Sequence, residues 1–431
     1  MNIVHIVPGT GNAFYCENCV KDGDLVKALQ NAGHSITLIP LYLPLNVNDT
    51  SLVNQNTPIF FGAVSTYFKE LLPRFKFPGL LIKALNAKPL LKLAAKKAGS
   101  TRAAGLEDMT ISMLNGENGN QADELEHLVD WIKGELQPDV IYLANVMLIG
   151  FAHRLKTRIG VPIVCALEDE DIWLDDMEDD SLSKIWKIIS EKSVDVDAFV
   201  PVSEYYRKQM IGKIHAPIEK FHTVHIGIDL DGYNKKSKSD GPPAIGFLSR
   251  LMESLGISII IDAFILLKNN YGHQDLQLYL TGGNTADDRL FLEKAKSKLT
   301  LANCLKDVTI FDNYDRDSRI EFLSKLTLLS VPMIKGEAFG LFQLEALAAG
   351  VPVVQPDVGA FPEIIELTAG GVTYSPNSPE KLAEIIDELL KDPERLNSMS
   401  KTGQANVTNY FSNSKMADRL VEVYNKVIAV N

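Results

Sequence analysis

No stretch of this 431-residue chain stays apolar for the roughly 20 residues that a membrane-spanning helix needs. Cysteine is scarce as well. Cys16, Cys19, Cys165 and Cys304 are too few and too scattered for the disulfide framework of a secreted domain, which points to a reducing compartment. Cys16-Glu17-Asn18-Cys19 has no second Cys-x-x-Cys to complete a metal site and reads as a loop with two small residues before a helix. The eight histidines show no metal-ligand spacing. The opening residues, Met1-Asn2-Ile3-Val4-His5-Ile6, lack the basic region and cleavage site of a secretory leader and read as a first strand. Positive charge is in deficit, 43 Lys and Arg against 55 Asp and Glu. The resulting net charge of -12 argues against general nucleic-acid binding. No short-period repeat is present. These absences leave a cytoplasmic protein as the expectation.

What is there suits two domains. A hydrophobic content of 46% with 23% charged residues supports two cores, each of about 200 residues. Charge is unevenly spread: residues 69–102 hold Lys69, Arg74, Lys76, Lys83, Lys88, Lys92, Lys96, Lys97 and Arg102 against the single acid Glu70, with leucines between them. Such a stretch fits peripheral contact with the inner face of an anionic membrane, or attraction of a charged acceptor. It fits equally a solvated helical insertion, and Pro73, Pro78 and Pro89, which break any long amphipathic helix, favour the insertion.

Strand and helix signals alternate through both halves. In the first, strands are predicted at 3–7, 35–41, 140–143, 163–167, 198–202 and 223–228, with helices at 20–31, 123–136 and 149–158. The polar, doubly proline-ended stretch Gly232 to Pro243 reads as a linker. Alternation restarts with strands at 245–248, 276–280, 308–311, 328–331 and 351–354 and helices at 258–268 and 341–349. Two closing helices begin at the capped Ser378-Pro379 and near Ser412. The pattern predicts an α/β protein of two Rossmann-like domains, residues 1–235 and 244–411. The terminal helix, 412–431, is expected to pack back on the first domain. A ligand would lie in a cleft at the carboxyl ends of both sheets.

The most informative stretch runs Glu337-Ala-Phe339-Gly340-Leu341-Phe-Gln-Leu-Glu345-Ala-Leu-Ala-Ala-Gly-Val-Pro-Val-Val. A strand feeds a loop, Gly340 lets backbone approach a ligand, and a helix begins whose first amides suit a phosphate. Carboxylates repel phosphate, so Glu337 and Glu345 are expected to face hydroxyls. A carboxylate can accept from both hydroxyls of a vicinal diol. A phosphate site between two diol readers fits a nucleoside diphosphate sugar. On spacing alone, two solvated glutamates on a core helix fit as well.

This stretch resembles the E-x7-E signature of the retaining GT-B glycosyltransferases of family 4. Similar in order are Ile245-Gly-Phe-Leu-Ser-Arg250, Leu280-Thr-Gly282-Gly283, Gly359-Ala-Phe-Pro-Glu363, Gly371-Val-Thr-Tyr374, Ala32-Gly33-His34 and Ile226-Gly227-Ile228-Asp229. The resemblance implies a GT-B fold and transfer of a sugar, with retention, from a nucleoside diphosphate sugar to a glycan or lipid-linked acceptor hydroxyl. It implies no obligatory metal and no cofactor. By resemblance, Glu345 binds the ribose and Glu337 the donor sugar. The Phe339, Gly340 and Leu341 backbone holds sugar and diphosphate, with Gly282 in the neighbouring turn, and Gly9 and Gly11 form the first-strand loop near the phosphates. Arg250 neutralises the departing diphosphate.

Three departures from the family pattern stand out. Leu255 takes the place of a common lysine before Gly256, Glu168-Asp169 replaces His-Asp, and Ile226-Gly227 replaces Asn-Gly. Glu168 then becomes the candidate catalytic group on the acceptor side. Two alternatives stand beside transfer: another chemistry on the same fold, such as a nucleotide-sugar epimerase, and a nucleotide-sugar-binding protein without turnover, motivated by Leu255 and Glu168.

Overall fold

The computed structural model describes residues 1–8, 15, 17–41, 60–61, 105–233, 241–285 and 288–430. The chain forms two compact units. The first comprises Met1–Asn12, Asn18–His225 and Met416–Asn431, and the second Ala13–Glu17 and Ile226–Lys415.

The first unit is built on strands β1 (Asn2–Val7), β2 (Ser35–Pro40), β3 (Val140–Leu143), β4 (Ile163–Leu167) and β5 (Ala198–Pro201), all parallel, in the order β2-β1-β3-β4-β5. Strands β3, β4 and β5 are buried along their whole length, as a parallel sheet covered on both faces by crossover helices requires. The helix Glu17–Asn31, which belongs to this unit from Asn18 onward, and the helices Ala122–Glu135, Ala152–Ile159 and Asp179–Lys192 supply crossovers. Within this unit the terminal helix Asn413–Val430 sets Tyr424 edge-on to Tyr142 of β3, ring centroids 6.2 Å apart.

The second unit repeats the plan with β6 (Ala244–Leu248), β7 (Gln277–Thr281), β8 (Val308–Phe311), β9 (Leu328–Leu329), β10 (Val353–Pro356) and β11 (Gly371–Tyr374), again all parallel, in the order β11-β10-β9-β6-β7-β8. From β6 the chain winds outward through β7 and β8, then crosses to the other side of β6 for β9, β10 and β11. The winding reverses between β6 and β9. In an open parallel sheet the crevice at the carboxyl ends of such a pair is where ligands bind. Helix Ile257–Asn269 packs on helix Pro379–Leu390 beneath the sheet.

Several expectations need correction. Residues 223–228 form no strand: His222 and Val224 donate to the carbonyls of Phe199 and Pro201, but Ile228 turns to pair with the Phe411–Asn413 backbone. The predicted helix at 149–158 begins as a 3-10 turn, Val146–Phe151, and becomes α-helical only at Ala152. A helix not anticipated, Pro393–Tyr410, lies between the two closing helices. Cys165 and Cys304 are free and buried, whereas Cys19 is disulfide-bonded, a covalent tie the scarcity of cysteine did not suggest. The basic segment 69–102 and the glycines Gly9 and Gly11 lie outside the described residues. No helix among the described residues is long and apolar enough to cross a membrane.

Candidate functional site

The loops that leave β6 and β9 converge at the switch point of the second sheet. Ile334 donates its amide to the Ser254 carbonyl at 3.3 Å. Gly256, at φ +84°, sits so tightly on the Pro332 carbonyl that a Cβ would lie 1.9 Å from that oxygen. Only glycine satisfies both the left-handed backbone and the contact. Gly282 ends the neighbouring β7, and its carbonyl accepts the Tyr15 amide at 2.8 Å.

The stretch after β9 forms the structure its sequence suggests. Gly340 takes φ +86° and opens helix Leu341–Ala348, which is buried throughout. A side chain at Gly340 would meet the Phe361 ring at 2.8 Å. Phe339 is buried edge-on to Phe411, at 6.3 Å. Glu337 is half-buried just before the helix, and its carbonyl accepts the Ala360 amide at 3.0 Å, tying the start of helix Phe361–Thr368 to the site. The Leu341 amide, unsatisfied within the helix, donates to Glu17 Oε2 at 2.6 Å. The helix start thus holds an anion, supplied by the chain itself.

Glu345, in the second turn, is 1% exposed. Tyr15 Oη donates to its Oε2 at 2.6 Å and Tyr233 Oη to its Oε1 at 2.7 Å. Arg319 adds Nε at 2.9 Å and a terminal nitrogen at 2.9 Å. Burial, and next the Glu345 charge, push both phenols well above the ordinary tyrosine range, so each remains a proton donor. Burial opposes the Arg319 charge, but Glu345 outweighs it and holds the guanidinium protonated. Glu345 thus accepts two phenolic hydroxyls and pairs with one cation in a buried site.

Arg250, also buried, is gripped by Asp288 at 3.0 Å and by Thr285 Oγ1 at 2.7 Å. Asp288 also accepts the Thr285 amide at 2.7 Å. Among the described residues no group of three or more His, Cys, Asp or Glu side chains is arranged to hold a metal.

Glu168 belongs to the first unit, directly after β4, and is buried in an ion pair with Lys21. Lys21 also lies 3.1 Å from Asp22, which faces His5 Nε2 at 3.4 Å. Burial disfavours the Asp22 charge, but Lys21 and then His5 hold its carboxyl below the usual range. Beside them Glu170 accepts the amides of Val146 and Glu168 and the Tyr206 hydroxyl, at 3.0, 2.6 and 2.8 Å. Burial nonetheless raises its pKa to about 7.

The structure thus gathers Arg250, Gly282, Glu337, Phe339, Gly340, Leu341 and Glu345 in the second unit, and places Glu168 in the first. Sequence reasoning missed Tyr15, Glu17, Tyr233, Arg319 and Asp288. Tyr15, Tyr233 and Arg319 reach Glu345 across 330, 112 and 26 residues of chain, a separation at which no local spacing signals a contact.

Comparison with known proteins bears on this geometry. Residues 232–406, which contain the site of the second unit apart from Tyr15 and Glu17, match the family described as glycosyl transferases group 1. D-inositol 3-phosphate glycosyltransferase 1 of Catenulispora acidiphila is 27% identical over 340 residues, 75% of this chain and 76% of that protein. In three dimensions the chain resembles Anabaena HepE, solved in complex with UDP, with a TM-score of 0.71 at 15% identity over 99% of this chain and 100% of that one. It also resembles sucrose-phosphate synthase from Thermosynechococcus elongatus, with a TM-score of 0.71 at 16% identity over 100% and 99%. The two parallel-sheet domains are those of the GT-B fold. The chain is an enzyme, a glycosyltransferase.

Proposed function

We propose that this glycosyltransferase takes a sugar from a nucleoside diphosphate sugar and passes it, with retention at the anomeric carbon, to an acceptor hydroxyl. One observation carries the donor reading: Glu345, neutralised by Arg319 and engaged by two hydroxyls, lies one turn from a helix start that already holds a carboxylate. A hydroxyl acceptor and an anion holder on one helix turn support a ribose and its diphosphate as the occupants. That HepE, a chain of similar fold, was solved with UDP supports a nucleotide-linked donor.

In this reading Glu345 accepts the ribose hydroxyls, and the Phe339–Leu341 backbone, with Gly282, approaches the diphosphate and sugar. Glu337 holds the donor sugar's hydroxyls near the anomeric carbon. As the acceptor oxygen bonds to that carbon, the bond to the diphosphate oxygen breaks, negative charge builds on the leaving group, and the acceptor's hydroxyl proton passes to the departing diphosphate. Arg250 faces that charge, with Asp288 fixing its guanidinium beforehand; such preorganised charge is usually the largest catalytic contribution. Glu168 serves the acceptor side through its pair with Lys21. Residues 69–102 attract an anionic acceptor or the anionic surface that carries it.

Steady-state kinetics test the assignment, with donor hydrolysis as the assay where the acceptor is unknown. Glu345→Gln is expected to raise KM for the donor about tenfold or more. Glu337→Gln is expected to lower kcat more than it raises KM. Changes of less than about threefold in both would place the site elsewhere.

A further inference from the structure

We propose that Tyr15 and Glu17 are an internal stand-in for the nucleoside diphosphate, seated in its site and displaced when it binds. The inference rests on the donor reading of Glu345 and Leu341 and assigns regulation to that site. Glu17 Oε2 takes the Leu341 amide at 2.6 Å, where a phosphate oxygen would sit, and Tyr15 Oη takes Glu345 Oε2 at 2.6 Å, where a ribose hydroxyl would sit. The two residues are separated by one position in the chain, so the anion and hydroxyl mimics arrive and leave together. A third contact, the Tyr15 amide on the Gly282 carbonyl, anchors the same short segment.

Competition follows from counting lone pairs. A carboxylate offers about four acceptor positions. Tyr233 and two Arg319 nitrogens occupy Glu345 Oε1, and Oε2 holds Tyr15 at 2.6 Å and the longer 3.2 Å branch of Arg319 Nε, so a ribose hydroxyl arriving at Oε2 competes with Tyr15. Arg319 is the hardest to expel: it is buried, ion-paired to Glu345, and pinned by its Tyr314 carbonyl contact at 2.9 Å. Tyr15 is the partner whose departure also vacates the Leu341 amide. Its ring covers the Arg319 guanidinium, 5.1 Å from centroid to cation, and leaves a flat cationic face behind. Binding is then an exchange, and the observed affinity falls by the fraction of time the stand-in is absent. A segment seated about nine-tenths of the time weakens nucleotide binding about tenfold.

Titration calorimetry with UDP, ADP and GDP on the full chain identifies the tightest of the three, which is then measured on Tyr15→Phe, Glu17→Gln, the double variant and Glu345→Gln. Each strap variant is expected to bind about 3- to 10-fold more tightly than the parent, the double variant more tightly than either, and Glu345→Gln more weakly. Strap variants that bind no more tightly, beside a weakened Glu345→Gln, would overturn the stand-in and leave the donor site standing. An unchanged Glu345→Gln would remove the donor reading and this inference with it. Hydrogen exchange gives a second readout that needs no variant: the peptide containing Tyr15 and Glu17 is expected to exchange faster with saturating nucleotide. Equal or slower exchange overturns displacement.

Discussion

At the scale of single residues, the two glutamates of the motif are legible and their partners are not. The same holds for the cations. Leu255 stands where the family resemblance leads one to expect a lysine, and Arg250 already shares its charge with Asp288. The Ile334–Ser254 hydrogen bond brings the exposed Lys335 next in sequence to the strip that contacts Leu255's own turn. A charge a few ångströms from a diphosphate in a partly desolvated site is worth on the order of 1–4 kcal/mol. Leu255→Lys is therefore expected to tighten nucleoside diphosphate binding and Lys335→Ala to loosen it, as measured by calorimetry. No change in either would place the diphosphate away from these loops. Glu170 supports a pH prediction in the first unit. Its folded pKa of about 7 lies above the ordinary 4.5, so the folded state binds the extra proton. Stability should fall as pH rises from about 4.5 to about 7 and then level, a loss of about 3 kcal/mol from this group. The Tyr206 hydroxyl favours the ionised form, so the cost of Tyr206→Phe in urea should grow as pH rises through about 7. A cost that is the same at pH 5 and pH 8 would show that Glu170 does not titrate there.

Elements were legible where the apolar pattern was dense. The strands Val140–Leu143 and Ile163–Leu167 and the helix starting at Leu341 appear at the predicted residues, because runs of buried valine, isoleucine and leucine admit few other readings. Helix Pro393–Tyr410 was missed although Asp392 caps it, accepting the Arg395 amide at 2.9 Å, with Pro393 in the first turn. It buries only Met399, Gly403 and Val407, too thin a stripe to show a period. Residues 223–228 failed for the opposite reason: an alternating apolar pattern marks extended chain, but a strand also needs a continuous partner. The loops at the switch point depend on Gly256, which no periodicity identifies. Gly256→Ala forces a side chain both into the left-handed region and onto the Pro332 carbonyl. It is expected to cost about 2 kcal/mol or more in chemical denaturation. Because it parts the loops that carry Arg250 and Glu337, nucleotide affinity should fall with it. A variant of parental stability would mean that the two loops do not depend on this contact.

At the scale of the whole molecule, two α/β halves were readable because each repeats the same strand-helix alternation around its own reversal of winding. The pairing of Glu345 with Tyr15 was not, since nothing in a linear pattern says that residues near the start of the chain join the unit formed by its second half. Charge is a whole-molecule property that the sequence gives outright. The chain carries a net -12, yet residues 69–102 hold nine basic groups and one acid. Long-range repulsion should keep the acidic body from an anionic surface, so any attraction must come from this segment and must be screened by salt. Each Lys or Arg near an anionic leaflet contributes about 1 kcal/mol, and a few such contacts suffice for measurable binding. Co-sedimentation with vesicles of phosphatidylcholine alone and of phosphatidylcholine with phosphatidylglycerol, at 50 mM and 500 mM salt, separates the outcomes. The expected result is binding to the anionic vesicles at low salt only, abolished when Lys88, Lys92, Lys96 and Lys97 are changed to glutamine. Binding to neither vesicle, or equally to both, would leave the segment as a solvated insertion. Loss of anionic-vesicle binding in the quadruple variant with unchanged donor hydrolysis would show that the segment draws the enzyme to an anionic surface without touching the donor site.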